Sequence, residues 1–296
     1  MQLSKEDLEF VENYSDAQYW HPSVTADTVL FRVLDKPENA TKKYPLRKLE
    51  VLLVKRGGSP YKGGWALPGG FCEKDESLHE CAARECFEET GLKPVYCGEA
   101  STYSSVNRDP RTRVITQSFV AVIPEGEDST PKAGDDAAEA AWFEVEMRTE
   151  TISPVHYQVQ LVLKSGDLSI SGSIALKADA QGVWRREIVE DASLLAFDHL
   201  EMICCAVEVL RTKIYRTPIA FKWVKDQFRI ADLQSVFEAV IGNELLRTTF
   251  FEHVKPLLKR VEDKSKEAES VLDQIYEYNK NYCLQDGLSA LDLWQS

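Results

Sequence analysis

Three carboxylates crowd one short segment of the sequence. Glu85, Glu88 and Glu89 lie within five residues, and Arg84 directly precedes them. In a helix, spacings of three and four residues place side chains on one face, where like charges repel. Arg84 can pair with Glu88 four residues further on, which leaves Glu85 and Glu89 without a cationic partner inside the helix. The segment is therefore either a solvated acidic face or a site that binds a positive charge.

A divalent metal ion is the positive charge that suits this set of oxygen ligands. Leu78, Ala82 and Cys86 lie on adjoining sectors of the same helix, which we expect to dock on the protein body. By helical phase, Glu85 and Glu89 point close to that docked direction. Because desolvated carboxylates are costly without charge compensation, and because ligands that are all oxygen suit Mg²⁺ or Mn²⁺ better than zinc, the pattern favours a Mg²⁺ or Mn²⁺ site.

The elements that must position this helix can be predicted from the sequence around it. Ser77 and Glu80 form a capping box that predicts a helix running to Thr90, with Gly91 well placed to end it. Runs of β-branched and apolar residues predict strands at 24–35, 48–57, 94–106, 113–123 and 140–146. The carboxylate helix is thus expected to pack on a sheet.

The second half of the chain changes character. Alternation around Ser165-Gly166-Asp167 predicts a β-hairpin, and from about residue 191 the apolar period becomes helical. Mostly apolar residues then recur at steps of four and three, which predicts a seam on one long amphipathic helix; they are Val254, Leu258, Val261, Ser265, Ala268, Leu272 and Ile275. The expected fold class is α+β.

Read from Gly70 to Leu92, the carboxylate segment resembles the signature of the Nudix hydrolases. It has the order G-x5-E-x7-R-E-U-x-E-E-x-G-U, where U is an apolar residue, and it matches at every position. The resemblance implies an α/β/α sandwich over roughly residues 20–150. It also implies hydrolysis of a nucleoside diphosphate linked to a variable group, with Mg²⁺ held by the loop–helix–loop.

Carried over by position, the resemblance assigns roles within the signature. Glu85 and Glu89 are the leading metal ligands, Glu88 is a ligand or an orienting group, and the Gly70 carbonyl can also bind metal. Arg84 is expected to hold Glu88 in place. Glu76, the remaining acidic residue of the signature, is expected outside the ligand set.

Two flanking stretches resemble those of ADP-ribose pyrophosphatases and related Nudix proteins of NAD metabolism. They are the R-D-P-R stretch at 108–111 and the segment 133–145, and they implicate Arg108, Asp109, Arg111 and Glu139 in substrate binding. Asp135, Asp136 and Glu139 are also candidates for a general base. The alternatives are a turn before a strand for the first stretch and a solvated acidic loop for the second. Trp65, Trp142 and Phe143 are expected to be core residues.

Residues 194–258 resemble the C-terminal winged-helix domain of Nudix-related transcriptional regulators of NAD metabolism, which bind DNA. The footprint expected of a DNA-binding module is weak, because 200–260 holds ten Lys and Arg against seven Asp and Glu. The segment 262–296 is acidic and could shield that face or dimerise. His199 and His253 are interpreted as packing or surface residues.

Composition narrows the partners and the compartment. A net charge of −13 argues against binding nucleic acid or membrane through bulk electrostatics. No apolar run is long enough to span a membrane, and the acidic N-terminal segment is unlike a signal peptide. The seven cysteines, at 72, 81, 86, 97, 204, 205 and 283, suit reduced, packed thiols. We expect a cytoplasmic homodimer.

Two functions from different classes therefore remain open. The first is a Mg²⁺-dependent pyrophosphohydrolase, with ADP-ribose as its expected substrate; the second is an ADP-ribose-responsive repressor. The hydrolase ranks first because the catalytic signature is complete. The expected organisation is a Nudix domain at 1–155, a β-hairpin connector at 156–190, a winged-helix-like domain at 191–260 and a helical tail at 261–296.

Overall fold

One ten-stranded β-sheet forms the centre of the fold. The computed structural model describes residues 3–36, 46–132, 137–261 and 274–281, without the side chains of 137 and 138. The strands of this sheet are β1 (Ser23–Asp35), β2 (Arg47–Arg56), β3 (Trp65–Ala66), β4 (Gly69–Phe71), β5 (Val95–Tyr103), β6 (Val114–Val122), β7 (Ala137–Ser153), β8 (His156–Ser165), β9 (Leu168–Ala178) and β10 (Trp184–Glu190). The five predicted strands and the predicted hairpin are confirmed, and β7 is longer than expected.

The sheet has the order β10-β9-β8-β7-β2-β1-β6-β5, with β3 paired to β2 and β4 paired to β1. Its β1 and β6 strands are parallel, whereas its other pairs are antiparallel. Residues 156–190 thus extend the same sheet that contains the first half of the chain. The division into domains at 155, 190 and 260 stays a prediction.

Five α-helices and a small second sheet complete the described fold. The helices are α1 (Lys5–Asn13), α2 (Leu78–Thr90), α3 (His199–Arg216), α4 (Ile230–Ile241) and α5 (Arg247–Val254), and the second sheet pairs β11 (Leu258–Arg260) with β12 (Tyr276–Tyr278). The α2 helix begins and ends where the sequence predicts. Its N-cap is Ser77 in a capping box with Glu80, and Gly91 closes it in the left-handed conformation. None of the helices described by the structure is long and apolar enough to cross a membrane.

The central strands are apolar on both faces, because helices cover both. On β1, Leu30 packs in the cluster that contains Cys86 of α2. Its neighbours Val29 and Phe31 point the other way, into the cluster that contains Met202 of α3. Successive side chains of a strand alternate between faces, so this pattern places α2 and α3 on opposite sides of the sheet.

The second helical layer of the sandwich therefore comes from α3. The resemblance implied a complete sandwich within roughly residues 20–150, but within the described part of that range the structure has one helix, α2. The other face of the sheet is covered by α3, which contacts β1, β5, β6, β8 and β9. The helical half of the chain thus contributes to the main core.

The predicted long helix over 254–275 is wrong where the structure describes it. The α5 helix ends at Val254, and Leu258–Arg260 pair as a strand with Tyr276–Tyr278. Pro256 lacks a backbone N–H and disfavours continuation of the helix. The middle of the predicted seam, 262–273, lies outside the described residues, and so does 282–296 of the predicted tail.

Candidate active site

A cavity of about 750 Å³ opens beside the carboxylate helix. Its walls come from β1, the end of β2, β4, α2, the 108–114 segment and the start of α3. The polar side chains that line it are Thr25, Asp27, Lys55, Arg56, Ser59, Glu85, Glu89, Arg108, Asp109, Arg111 and His199. Carboxylates, guanidinium groups and one imidazole thus share a single cavity.

Two glycines bring β4 close against the carboxylates of α2. A Cβ added at Gly70 would overlap the Glu85 carboxylate, and one at Gly69 would overlap the backbone and side chain of Asp27. The Gly69 N–H donates to the Glu89 Oε2 (3.0 Å). Gly70 therefore allows β4 to approach α2, and Gly69 allows it to approach β1, more closely than a larger residue would permit.

Glu85 lies on the cavity and is tied to the neighbouring arginine. Arg84 Nη1 donates to Glu85 Oε1 (2.8 Å) and also to Glu88 Oε2 (3.0 Å). The expectation that Glu85 has no cationic partner inside the helix is therefore wrong, because the arginine reaches the adjacent residue as well. Burial nevertheless raises the pKa of Glu85, although Arg84 opposes that change.

Glu89 has the most perturbed carboxyl group of α2. Burial raises its pKa to about 8, the Gly69 N–H opposes that rise, and the nearby Glu85 and Asp27 carboxylates add to it. Since opposite charge lowers the pKa of an acid, a cation bound between these carboxylates would hold Glu89 ionised. Glu89 thus meets the sequence expectation of a group that needs positive charge.

The other acidic residues of the signature, Glu76 and Glu88, do not line the cavity. Glu88 is 58% exposed at its side chain and does not line the cavity. Glu76 accepts from both Arg84 Nη2 (2.7 Å) and Arg84 Nε (3.0 Å), and its pKa falls to about 2, mainly through these bonds. Arg84 therefore ties three carboxylates together.

Asp27 of β1 also lines the cavity and was not among the site residues predicted from the sequence. Asp27 is 7% exposed, and Thr116 Oγ1 donates to its Oδ2 atom. Burial raises its pKa to about 6, with smaller opposing effects from the Thr116 hydroxyl and from Arg108. An acidic residue near the middle of a predicted strand was the signal that could have identified it.

The R-D-P-R stretch reaches the cavity, but its charges are largely paired within the protein. Arg108 is buried and donates twice to Asp198, from Nε (2.9 Å) and from Nη2 (2.7 Å). Arg111 donates in the same two-bond manner to Asp109 (3.0 and 2.8 Å). Of the two arginines, Arg111 is the more exposed, at 43% of its side chain.

Glu139, the acidic candidate of the 133–145 segment that the structure describes, is not brought into the cavity. Glu139 lies on β7, exposed, with Oε2 3.3 Å from Lys55 Nζ, and Lys55 rather than Glu139 lines the cavity. Asp135 and Asp136 lie outside the described residues. Trp142 and Phe143 are buried, as the sequence predicts for core residues.

The start of α3 forms another part of the cavity wall. Phe197 has a left-handed backbone (φ 53°), and its ring centroid lies 4.8 Å from that of Tyr61 and 5.0 Å from the Arg56 guanidinium. His199 is 4% exposed and lines the same cavity. The interpretation of His199 as a packing or surface residue missed this position, since no sequence spacing links it to the carboxylates.

A second cluster of metal-ligand types lies beside the signature but is poorly suited to metal. Among the described residues, Cys72, Glu76 and Cys81 hold their ligand atoms within 4.8 Å of one another. Both Glu76 oxygens already accept from Arg84. Burial raises the pKa of both thiols, whereas metal binding requires thiolates.

The fold and the carboxylate cavity define the class of protein. The model of the NUDIX domain family matches residues 38–159, and the chain belongs to the Nudix hydrolase family. An ADP-ribose pyrophosphatase of Methanocaldococcus jannaschii is 40% identical over 127 residues, which are 43% of this chain and 64% of that relative. The matched part is thus just under two thirds of the archaeal protein's length.

Two further comparisons extend over the helical half of the chain. The ADPR responsive transcriptional repressor NtrR of Acinetobacter baylyi is 26% identical over 243 residues, which cover 81% of this chain and 75% of that protein. The crystal structure of a MutT/nudix family protein from Enterococcus faecalis superposes with a TM-score of 0.63 at 27% identity. That match covers 94% of this chain and the whole of the other.

The residues present fit the divalent metal that Nudix hydrolases use. Glu85 and Glu89 offer carboxylate oxygens to one cavity, and Gly70 packs directly against the Glu85 carboxylate. Oxygen donors of this kind suit hard divalent cations. Burial and, to a smaller extent, the neighbouring carboxylates raise the pKa of both glutamates, and a cation would offset both effects.

Proposed function

We propose that this protein is a Mg²⁺- or Mn²⁺-dependent hydrolase that splits ADP-ribose into AMP and ribose 5-phosphate. The observation that carries the proposal is the complete signature from Gly70 to Leu92, folded so that Glu85 and Glu89 face the cavity. The volume of about 750 Å³ is in the range of sites for small ligands. The archaeal relative named ADP-ribose pyrophosphatase supports the choice of substrate.

The cavity combines the two kinds of charge that this reaction requires. Water attacks one phosphorus, the bond from that phosphorus to the bridging oxygen breaks, and the proton of the water passes to a base. Glu85 and Glu89 would hold the divalent ion, which would neutralise charge on the diphosphate. Arg56 and Arg111 place guanidinium groups on the same cavity, where they can bind the anionic phosphates.

Arg56 is held in place for such a role. Its Nε donates to the Pro60 carbonyl (2.8 Å), and its guanidinium lies over the Phe197 ring. Burial and the neighbouring Arg111 lower the pKa of Arg56. Because the two guanidinium groups are close enough to repel each other, a bound anion would stabilise both.

A substrate panel tests the proposal. Purified protein is incubated with Mg²⁺ or Mn²⁺ and with ADP-ribose, other nucleoside diphosphate sugars and dinucleotides, and AMP release is measured. We expect ADP-ribose to be the best substrate and chelator to abolish turnover. The Glu73→Gln variant changes an exposed acid of the same segment. It is the matched control for a substitution of Glu89 and should keep full activity. Absence of turnover across the panel would reject the hydrolase.

A second candidate function is an ADP-ribose-responsive repressor. The relative NtrR aligns with 81% of the chain. In the described helical half, α3, α4 and α5 are followed by the β11–β12 pair, and Phe228 forms a bridge to Tyr276 at the edge of that pair. This order of elements is consistent with a winged helix.

The charge on this module supports ranking the repressor second. Near α5, Lys255 Nζ lies 3.9 Å from Glu252, and Lys259 Nζ lies 2.5 Å from Glu277. Cations paired in this way contribute less to phosphate binding. We expect weak binding to duplex DNA from the region upstream of the gene, measured by fluorescence anisotropy near physiological salt. Tight binding that ADP-ribose releases would reverse the ranking.

We further propose a cytoplasmic homodimer, with DNA as a weakly supported partner. The seam that motivated the dimer is interrupted at Pro256–Arg260 in the described residues. Light scattering of the full chain measures its mass directly, and the mass of one chain would reject the dimer.

A further inference from the structure

His199 lies on the wall of the cavity and belongs to the helical half of the chain. It is the first residue of α3, is almost fully buried, and faces the same space as Glu85 and Glu89. The preceding residue, Asp198, receives two hydrogen bonds from Arg108. The imidazole is therefore fixed at the wall of the site by main-chain and side-chain contacts.

Hydrogen bonding determines which ring nitrogen of His199 carries the proton. The backbone N–H of Leu67 lies 2.9 Å from Nδ1. Because a backbone N–H can only donate, Nδ1 must accept, and a neutral imidazole then has its proton on Nε2. Burial also lowers the pKa of His199 to about 3, so the ring is neutral at physiological pH.

The Nε2–H group has an acceptor nearby that is out of direct reach. Asp27 Oδ1 is 3.9 Å from His199 Nε2, which is too long for a hydrogen bond. The other carboxylate oxygen of Asp27 accepts from the Thr116 hydroxyl. Among the described residues, a donor from α3 and an acceptor from β1 thus face each other across a short gap.

The gap fits a single bridging oxygen of defined chemistry. Two hydrogen bonds of about 2.8 Å can meet at one oxygen between atoms this far apart. That oxygen must accept from Nε2–H and donate to Asp27 Oδ1. A hydroxyl group has both capacities, whereas a non-bridging phosphate oxygen lacks the proton to donate.

We propose that His199 is a substrate-binding residue whose Nε2–H donates to a hydroxyl group shared with Asp27. The hydroxyl belongs either to a sugar of the bound nucleotide or to a water molecule held beside it. The proposal rests on the proposed function for the identity of the nucleotide. It gives the helical half of the chain a direct contact with the ligand of the Nudix cavity.

Two substitutions separate ligand binding from the structural role of the ring. His199→Asn keeps an acceptor for the Leu67 N–H, because the amide oxygen takes the place of Nδ1, but it loses the Nε2–H donor. His199→Gln extends an amide N–H toward the position of Nε2 and gives up the acceptor near Leu67. His253→Asn, on exposed α5 surface, is the matched control.

The measurement is the calorimetric Kd of the full chain for a non-hydrolysable methylene analogue of ADP-ribose, with Mg²⁺ present. We expect His199→Asn to bind about tenfold more weakly at an almost unchanged Tm. We expect His199→Gln to keep most of the affinity while its Tm falls by about 2–4 °C, since the Leu67 N–H loses its partner. If the histidine were merely structural, affinity would follow stability instead: His199→Gln would bind more weakly, and His199→Asn would bind like the wild type.

Analogues that lack one sugar hydroxyl each identify the source of the oxygen. If the effect of His199→Asn disappears with one deoxy analogue, the hydroxyl is that sugar group; if it persists with every one, the oxygen is water. Equal affinity of wild type and His199→Asn for the parent analogue would overturn the proposal alone. Failure of the wild type to bind the analogue would reject the proposed substrate, and the role of His199 with it.

Discussion

Helix α2 and the start of α3 border the same cavity, but they supply opposite kinds of group. The α2 helix contributes Glu85 and Glu89, carboxyls whose pKa burial raises. The start of α3 contributes the neutral His199 imidazole and Asp198, an acid already matched by Arg108. One helix therefore brings charge that needs a cation, whereas the other brings groups whose charge is settled within the protein.

This difference indicates a division of roles between the two helices. Groups that need external charge are suited to hold a metal and the diphosphate, and their cost is met only when these bind. Groups whose charge is already compensated within the protein keep one geometry with or without ligand, which suits recognition. Substitutions on the two helices should consequently differ in what they change.

The largest effect is expected on α2. Glu89→Gln should lower kcat by about 10²–10³-fold with little loss of folding, since the amide cannot hold the metal or take up negative charge. Glu88→Gln should stay within about tenfold of wild type, because Glu88 is exposed and contacts Arg84 rather than the cavity. Steady-state kinetics with ADP-ribose measure both. A larger loss of kcat for Glu88→Gln than for Glu89→Gln would contradict the assignment of the metal-binding role to the carboxylates of α2 that face the cavity.

On the α3 side, the largest expected effect is on stability. Asp198→Ala leaves the buried Arg108 guanidinium unpaired, and we expect about 3 kcal/mol lower free energy of unfolding in urea. The double variant with Arg108→Ala should recover part of that loss, because it removes the unpaired charge as well. If the double variant loses as much free energy of unfolding as the two single variants together, Arg108 and Asp198 do not stabilise the fold as a pair.

The smallest expected effect is a pH dependence of the free energy of unfolding that arises from Glu89 on α2. The folded protein binds the Glu89 proton more tightly than the unfolded chain, with a pKa of about 8 against 4.5. The contribution of Glu89 to stability therefore falls as pH rises between these values. Between pH 6.5 and 8.5 in chelator, the wild type should lose about 1–2 kcal/mol more than Glu89→Gln.

Urea unfolding at the two pH values provides the measurement. An equal loss of unfolding free energy between the two pH values in wild type and in Glu89→Gln would show that the pKa of Glu89 is not raised by burial as the structure indicates. Added Mg²⁺ should reduce the difference, because metal binding to the folded state favours the ionised carboxylates.

The parts of the site that could be predicted are those encoded by local spacing. The run from Gly70 to Leu92 comprises the end of β4, one loop and α2, so local spacing was enough to place Glu85 and Glu89 and to predict the capping box. Predicting α2 as a docked helix required only its own periodicity. For the same reason, the five predicted strands and the hairpin were found.

The rest depends on contacts between distant segments. Arg108 was singled out for its residue type, but its partner Asp198 lies ninety residues away in the sequence. His199 had no informative neighbour in the sequence, and its role follows from the Leu67 N–H on the β3–β4 connection. In its described part, the predicted 254–275 helix is wrong because the heptad pattern was followed through Pro256, whose missing N–H carried more weight than the periodicity.

The segment before α3 is joined to the edge of the cavity by main-chain hydrogen bonds. Trp65 of β3 donates to the Leu194 carbonyl and accepts from the Ala196 N–H, both at 2.8 Å. A molecule that binds the helical half and shifts α3 must therefore alter the cavity wall. By thermodynamic reciprocity, a nucleotide bound in the cavity then changes the affinity for that molecule by the same factor. The same coupling between the cavity and the helical half would serve a hydrolase or a repressor.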